Sequence, residues 1–207
     1  MRSLEVRRHS LTKKGVARGR GSHLSSEGVM LARAVGPTFG PVGFVLVGPL
    51  PRHLETAIAM GYAVDDVAEW PSGYVPGVIE HHDQWRWPVP FERYAGLIRT
   101  NSALAKVTDE HRRLWIKAIA AVPDGGTALV ISSGGAIEPT LVACLPAADF
   151  ASWGEPFSHC DGARLTYADG RFVNIALARI AGKRTTGSRG VPPWLRSQPR
   201  TDRANPA

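Results

Sequence analysis

The feature that most constrains the fold is an alternation of short apolar runs with segments of helical periodicity. Two of the runs, Gly43–Val47 and Thr127–Ile131, are almost entirely apolar, which is typical of strands buried on both faces of a sheet. Each run is followed by a turn and then by a helix-like pattern. This alternation predicts an α/β three-layer sandwich, in which a mostly parallel central sheet carries helices on both faces.

The same patterns give approximate bounds for the elements. The predicted strands are Ser3–Arg7, Gly43–Val47, Ala63–Val67, Thr127–Ile131, Arg164–Tyr167 and Phe172–Ala178, the last two joined by an Asp169-Gly170 turn of the kind that hairpins favour. The predicted helices run from a Ser25 cap to Val35, over Arg52–Met60, Phe91–Lys106 and Ala136–Cys144, and over Asp109–Val122 behind a Thr108 cap. The composition of Trp70–Pro90, rich in Pro, Gly, Trp and His, predicts an irregular excursion.

Length and charge predict one domain and a basic tail. A chain of 207 residues with 43% hydrophobic residues is long enough for one α/β domain, which we place at residues 1–182. The net charge of +7 is concentrated at the ends, with +6 in Met1–Arg20 and +5 in Lys183–Ala207. The composition of residues 183–207 predicts a disordered tail. Because nucleic-acid-binding domains carry basic residues on a folded face, nucleic acid is not an expected partner.

The sequence predicts neither a membrane segment nor an export signal. Its apolar runs are too short to cross a bilayer, and no apolar stretch follows Arg2, Arg7 and Arg8 as it would in a signal peptide. The two cysteines, Cys144 and Cys160, lack the spacing of a CxxC motif, which favours free thiols in a reducing compartment. We therefore expect a cytoplasmic protein without a membrane partner.

Arg8 and His9, at the end of the first predicted strand, are the strongest local indication of chemistry. A histidine nitrogen accepts a phosphoryl group when the phosphate is held in line, and the fork of an arginine matches phosphate oxygens. A second loop, Ser132–Gly135, follows the strand Thr127–Ile131. Both loops are candidates for the site, because ligands of such sheets bind beyond the carboxyl ends of the strands. An Arg-His pair alone also occurs by chance in many proteins.

Four segments carry motifs in a fixed order over roughly Ser3–Ile180. They are an opening strand with Arg-His-Ser (Leu4–Ser10), a helix that begins Leu-Ser-x-x-Gly (Leu24–Arg33), a segment with an arginine and a Thr-Ala pair (Val47–Ala57) and a strand followed by Ser-Gly-Gly (Ala128–Ile137). Each resembles the corresponding motif of the histidine phosphatase (phosphoglycerate mutase-like) superfamily, and their order and spacing agree with it. No single segment is decisive, so the resemblance depends on all four.

The resemblance implies a role for each matching residue. His9 would be the nucleophile that becomes phosphohistidine. Arg8 and Arg52 would bind the transferred phosphoryl oxygens, and Arg52 lies near the start of a helix whose amides also favour an anion. Ser133 and Gly134 would complete the phosphate site. The ligand would be a small phosphomonoester, hydrolysed without a cofactor.

The superfamily also uses a carboxylic acid to protonate the leaving oxygen. Glu69 stands closest to the usual position of that acid, and Asp66 and Glu80 are alternatives. A metal is not expected, since the adjacent His81 and His82 are unsuited to ligating one ion and have no partner pair at helical spacing.

Ser133 stands where the superfamily places its second active-site histidine. A serine hydroxyl carries no positive charge, and losing one charge-assisted contact costs on the order of 2–4 kcal/mol of transition-state stabilisation. Two hypotheses follow: a slow or specialised phosphatase with a different cation in the pocket, or a pseudophosphatase that binds phosphorylated ligands without turnover. The candidates for that cation are Lys13, Lys14, His53 and His81. Gly48 departs from the pattern as well, since a serine or threonine is common there.

The remaining histidines and basic residues have simpler interpretations. His23 and His159 are expected at the surface or in loops with satisfied hydrogen bonds. The basic residues after His9 would surround the mouth of the pocket and attract an anionic ligand; they are Lys13, Lys14, Arg18 and Arg20. A third hypothesis, binding of nucleic acid through the two basic ends, is the weakest of the three.

Overall fold

The computed structural model of the protein describes residues 1–13, 22–71, 73–79 and 87–180. The strands are β1 (Arg2–Arg8), β2 (Phe44–Val47), β3 (Asp66–Val67), β4 (Thr127–Ser132), β5 (Gly162–Ala168) and β6 (Arg171–Ala178). The helices are α1 (Ser26–Val35), α2 (Pro51–Ala59), α3 (Pro90–Thr100), α4 (Ser102–Ala120) and α5 (Gly134–Cys144). Several residues named above lie outside the described ranges: Lys14, Arg18, Arg20, Glu80, His81, His82 and the tail Lys183–Ala207.

The six strands form one sheet in the order β3-β2-β4-β1-β5-β6. β3, β2, β4 and β1 are parallel to one another. β5 pairs antiparallel with β1, and β6 pairs antiparallel with β5 in a hairpin. Arg8 pairs with Ser132 in the register of β1 and β4, so these two central strands end side by side. The predicted loops after both strands therefore leave the same edge of the sheet at neighbouring positions.

Helices cover both faces of the sheet, as the alternation predicts. On one face, α3, α4 and α5 pack on the strands through large buried side chains such as Phe91, Trp115 and Leu141. On the other face, α1 and α2 bury Leu31 and Ala57 against the sheet. Successive residues of β4 alternate between the two cores, since a strand points its side chains to opposite faces in turn. The expected three-layer α/β sandwich is confirmed.

The boundary between α3 and α4 differs from the prediction. The sequence places one helix over Phe91–Lys106 and a new N-cap at Thr108, whereas the chain breaks at Asn101. The extended Asn101 accepts a 3.0 Å hydrogen bond from the backbone N–H of Leu104, which caps α4. Thr108 lies buried within α4, and its hydroxyl donates to the carbonyl of Ala105 instead. An asparagine side chain thus starts the helix seven residues before the threonine.

Other local predictions are confirmed. Ser25 caps α1 by accepting a 3.1 Å hydrogen bond from the N–H of Gly28. The Asp169-Gly170 turn joins β5 to β6 with positive φ angles of 51° and 76°, the conformation that favours Asp-Gly in a two-residue hairpin. Cys144 and Cys160 are both buried, and no disulfide joins them.

Candidate functional site

The candidate site lies at the edge where β1 and β4 end. The backbone N–H of His9 donates a 2.8 Å hydrogen bond to the carbonyl of Ser132, which continues the β1-β4 ladder by one residue. Ser133 then becomes the N-cap residue of α5. The first residues beyond the two strands are therefore held together by backbone pairing, as the sequence predicts. Arg7 points to the other face of the sheet, where it pairs with the buried Glu5.

His9 has the environment of a neutral imidazole with one nitrogen lone pair left available. The side chain is 8% exposed, and its Nδ1 lies 2.8 Å from the carbonyl oxygen of Ser10. A carbonyl only accepts hydrogen bonds, so Nδ1 carries the proton and Nε2 carries the lone pair. Burial lowers the pKa of His9 well below its ordinary value, and the neighbouring His53 and Arg52 lower it further. The ring is therefore neutral at physiological pH.

The loop after His9 is fixed to the helices of one layer. The N–H of Ser10 donates a 3.0 Å hydrogen bond to Oγ1 of Thr56, and its hydroxyl donates to the carbonyl of Gly28 at 2.7 Å. A Cβ atom at Gly28 would lie 2.0 Å from the carbonyl oxygen of Leu11, so only glycine allows this approach. The Leu-Ser-x-x-Gly and Thr-Ala motifs thus hold the loop that orients His9.

Arg8 and Arg52 both lie close enough to His9 to act on its charge. Arg8 donates to the carbonyl of Phe157, and within the described part of the chain its Nε is buried without a hydrogen-bond partner. Burial lowers the pKa of Arg8, and the nearby Glu138 partly opposes that effect. Arg52 Nη2 lies 3.4 Å from Oγ of Ser133, and burial followed by the charge of Arg8 lowers the pKa of Arg52. Two partly desolvated cations at this edge favour an anionic ligand.

Gly134, the first residue of α5, lies within ordinary contact distance of the Arg8 side chain. A Cβ atom at Gly134 would lie 3.4 Å from Cδ of Arg8 and 3.5 Å from Oε1 of Glu138. The start of α5 therefore lies directly beside the Arg8 side chain. The N-terminus of this 11-residue helix adds a positive partial charge to the same edge of the sheet.

His53 lies inside this site. It is 1% exposed, its Nε2 is 3.0 Å from Oγ of Ser133, and its ring centroid is 5.6 Å from that of His9. Burial, followed by the charge of Arg52, lowers the pKa of His53 to about 3, so the ring is neutral. The sequence analysis names His53 among several candidate cations, and the structure places it against Ser133.

The other candidates lie further from His9 or have different partners. Lys13 is exposed and contributes to a surface groove together with His23 and Glu55, which pair with each other. Asp66 forms a 3.2 Å ion pair with Lys117 on α4. Glu69 is exposed two residues after β3, a strand that runs parallel to β1 and β4 and therefore ends at the same edge of the sheet.

Two residues of the site have no clear signal in the sequence. Glu138, in the second turn of α5, is buried and accepts a 2.7 Å hydrogen bond from the N–H of Phe157. Burial raises the pKa of Glu138 to about 7. His159, expected at the surface or in a loop, places its ring centroid 5.6 Å from that of His9 in an edge-on arrangement. A charged residue within the apolar stretch Ala136–Cys144 is the one indication that could have marked Glu138.

The described residues form no group of three His, Cys, Asp or Glu side chains that could hold a metal ion. Across the same residues, each helix is too short or too polar to cross a membrane.

Comparison with known proteins gives a match in fold. No protein-family model matches the sequence, and no curated protein matches it. A phosphoserine phosphatase from Entamoeba histolytica, solved with 3-phosphoglyceric acid, superposes with a TM-score of 0.63 and 15% identity over 87% of this chain and 98% of its own. A mycobacterial glucosyl-3-phosphoglycerate phosphatase, solved with VO3, has a TM-score of 0.60 and 18% identity over 86% of this chain and 99% of its own. Bacillus stearothermophilus YhfR has a TM-score of 0.58 and 18% identity, over 86% of this chain and 96% of its own. The chain therefore has the phosphoglycerate mutase-like α/β fold of these proteins.

Proposed function

We propose that the protein belongs to the histidine phosphatase superfamily and hydrolyses a small phosphomonoester through a phosphohistidine at His9. The observation that carries this proposal is the hydrogen bond between Nδ1 of His9 and the carbonyl of Ser10. That bond fixes the proton on Nδ1 and leaves Nε2 as a nucleophile. Arg8 and Arg52 nearby supply the positive charge that a phosphoryl group requires.

The reaction divides into two displacements. In the first, Nε2 of His9 bonds to phosphorus, the bond to the ester oxygen breaks, and an acid gives that oxygen a proton. We assign the acid to Glu69, at the pocket edge of the sheet. In the second, the oxygen of a water molecule bonds to phosphorus while the bond to Nε2 breaks, and the carboxylate left on Glu69 takes up the proton of the water. Inorganic phosphate, the neutral ring and the protonated acid result. Arg8, Arg52 and Ser133, with Gly134 at the start of α5, bind the phosphoryl oxygens in both steps.

The solved structures of similar fold support a small phosphorylated substrate. The Entamoeba histolytica and mycobacterial proteins are phosphatases whose names refer to phosphoserine and to glucosyl-3-phosphoglycerate. Both are small phosphomonoesters with additional polar groups. We place the ligand of this chain in the same chemical class, with its phosphate beside His9.

Phosphate transfer from p-nitrophenyl phosphate tests the proposal. Wild type should form an acid-labile, base-stable phosphate on His9 and release nitrophenolate, and His9→Ala should do neither. His23→Ala is a matched control, because His23 is an exposed histidine that pairs with Glu55. Equal hydrolysis by wild type and His9→Ala would show that the assignment of His9 is wrong.

A second candidate function, binding of phosphorylated ligands without turnover, has one observation in its favour. The resemblance to the superfamily implies a histidine at the position of Ser133, and the His53 ring beside Ser133 is neutral. Arg8 and Arg52 then carry the positive charge beside His9 and His53, whose rings are both neutral. This alternative predicts that orthovanadate raises the melting temperature of the wild type while no phosphohistidine forms and no ester is hydrolysed.

A further inference from the structure

His53 occupies space that exists because residue 48 is glycine. A Cβ atom at Gly48 would lie 2.4 Å from Nδ1 of His53 and 2.7 Å from two ring atoms of Trp70. Both distances are shorter than real Cβ contacts. The glycine after β2 and the buried histidine of α2 are therefore sterically linked, and a serine or threonine at residue 48 would displace the imidazole.

The hydroxyl of Ser133 is turned toward His53. Ser133 is the N-cap residue of α5, yet its side chain accepts no hydrogen bond from the first turn of that helix. Its Oγ instead lies 3.0 Å from Nε2 of His53 and 3.4 Å from Nη2 of Arg52. A serine at a helix N-cap ordinarily accepts from a backbone N–H. Here it belongs to the side-chain cluster of the candidate site.

The chemistry of a hydroxyl makes this contact useful. A serine hydroxyl has one proton to donate and two lone pairs that accept. When Nε2 of His53 carries the proton, the imidazole donates to Oγ, and the hydroxyl proton remains for a phosphoryl oxygen. A serine without such a neighbour rotates among three rotamers and presents its proton in one of them only part of the time.

The groups that face His53 are polar, which favours a role in ligand binding over a role in packing alone. His9 faces it from the end of β1, Arg52 precedes it on α2, and Ser133 faces it from α5. The positive charge of Arg52 and the burial of the ring both disfavour the imidazolium in this structure. An anionic phosphoryl group beside Ser133 would offset the charge of Arg52. The hydrogen bond from Nε2 of His53 to Oγ of Ser133 is then compatible with a charged ring as well as with a neutral ring protonated on Nε2.

From these contacts we propose that His53 and Ser133 form a two-residue phosphate ligand. Ser133 makes the contact with the phosphoryl group, and His53 acts as the positioning residue that orients its hydroxyl. The pair takes the place of a single histidine at residue 133, and Gly48 provides the room for it. This inference rests on the proposed phosphate site at His9.

A double-mutant cycle tests the coupling. The variants are Ser133→Ala, His53→Ala and the two combined, and the readouts are the dissociation constant for orthovanadate and the rate of phosphohistidine formation. Each single variant should weaken binding by roughly tenfold or more, since a hydrogen bond to a charged group is lost. The double variant should be no worse than Ser133→Ala. Additive losses, roughly 100-fold or more in the double variant, would show that His53 does not act through Ser133.

His53→Gln separates positioning from packing. The glutamine amide can donate to Oγ of Ser133 from about the place of Nε2, whereas alanine cannot. We expect His53→Gln to keep orthovanadate affinity within about threefold of wild type while His53→Ala does not. Melting temperatures of all variants, with His23→Ala as the matched control, identify any loss that comes from unfolding. Equal losses in folded Gln and Ala variants would overturn the proposal.

The same experiments separate this inference from the proposed function. If His9→Ala abolishes phosphohistidine formation but the His53 and Ser133 losses are additive, the proposed function stands and the two-residue ligand is wrong. If the wild type neither binds orthovanadate nor forms phosphohistidine, the proposed function fails, and the two-residue ligand fails with it.

Discussion

The carboxylate of Glu138 accepts a 2.7 Å hydrogen bond from the backbone N–H of Phe157, whose carbonyl accepts a hydrogen bond from the guanidinium of Arg8. Phe157 thus connects a buried acid to an arginine of the candidate site. Burial raises the pKa of Glu138 to about 7, against an ordinary value of 4.5. A group that titrates near neutral pH therefore lies directly behind the candidate phosphate pocket.

We expect Glu138→Gln to change the pH dependence of stability. As the pH rises from 4.5 to 7, Glu138 ionises in the unfolded chain before it ionises in the folded protein, so the folded wild type loses about 3 kcal/mol of stability. Glutamine has no proton to lose, and its amide oxygen can still accept from Phe157. The free energy of unfolding of the variant relative to wild type should therefore increase by about 3 kcal/mol between pH 4 and pH 8. Urea unfolding at both pH values measures this difference, and a constant difference would mean that Glu138 titrates alike in both states.

The acid assigned to Glu69 makes a prediction about leaving groups. An alkoxide leaving group needs a proton in the transition state, whereas nitrophenolate does not. Glu69→Gln should therefore lower kcat/KM roughly 100-fold or more for an alkyl phosphate and only slightly for p-nitrophenyl phosphate. Asp66→Asn is the matched control, because Asp66 pairs with Lys117. If Glu69→Gln has the same small effect on both substrates, the acid lies elsewhere.

A comparison of two glycines tests the space around His53. Gly48→Ala should displace the imidazole, since the new Cβ would lie 2.4 Å from Nδ1 of His53, and we expect weaker orthovanadate binding and a lower melting temperature. Gly96→Ala is the matched substitution. Gly96 lies within α3 with nothing near its Cβ position, so alanine should stabilise the protein by about 0.5–1 kcal/mol. Calorimetry measures the melting temperatures of both variants, and titration measures their affinities for orthovanadate. Unchanged binding by Gly48→Ala would show that His53 tolerates the added methyl group without moving.

The sequence predicts the part of the site that follows from topology. His9 and Ser133 come together because β1 and β4 are neighbouring parallel strands, and parallel strands that start in register end at the same edge. The strand pattern and the motif order contain that information. Arg52 is predictable in the same way, since it opens the helix after β2.

The side-chain contacts around these residues depend on packing between elements that are distant in the chain. His53 reaches Ser133 because α2 and α5 follow the neighbouring strands β2 and β4 and because Gly48 leaves room. No local pattern at residue 53 encodes either condition. Glu138 is buried by the chain around Phe157, which lies 19 residues further on. The Asn101 break is a different case, because Asn101 and Thr108 are both residue types that cap helices, and the local sequence does not decide between them.

The last prediction concerns the introduction of a histidine at residue 133. Because Nε2 of His53 lies 3.0 Å from Oγ of Ser133, an imidazole on residue 133 would have to extend into the space that His53 fills. Ser133→His alone should therefore lower the melting temperature and weaken orthovanadate binding rather than increase activity. Combined with His53→Ala, the same substitution has room for its ring, and binding should recover by roughly tenfold over the single variant. Melting curves and orthovanadate titrations of the single and double variants test both expectations. If Ser133→His alone binds more tightly than wild type, the two imidazoles fit together, and residue 53 does not restrict what residue 133 can be.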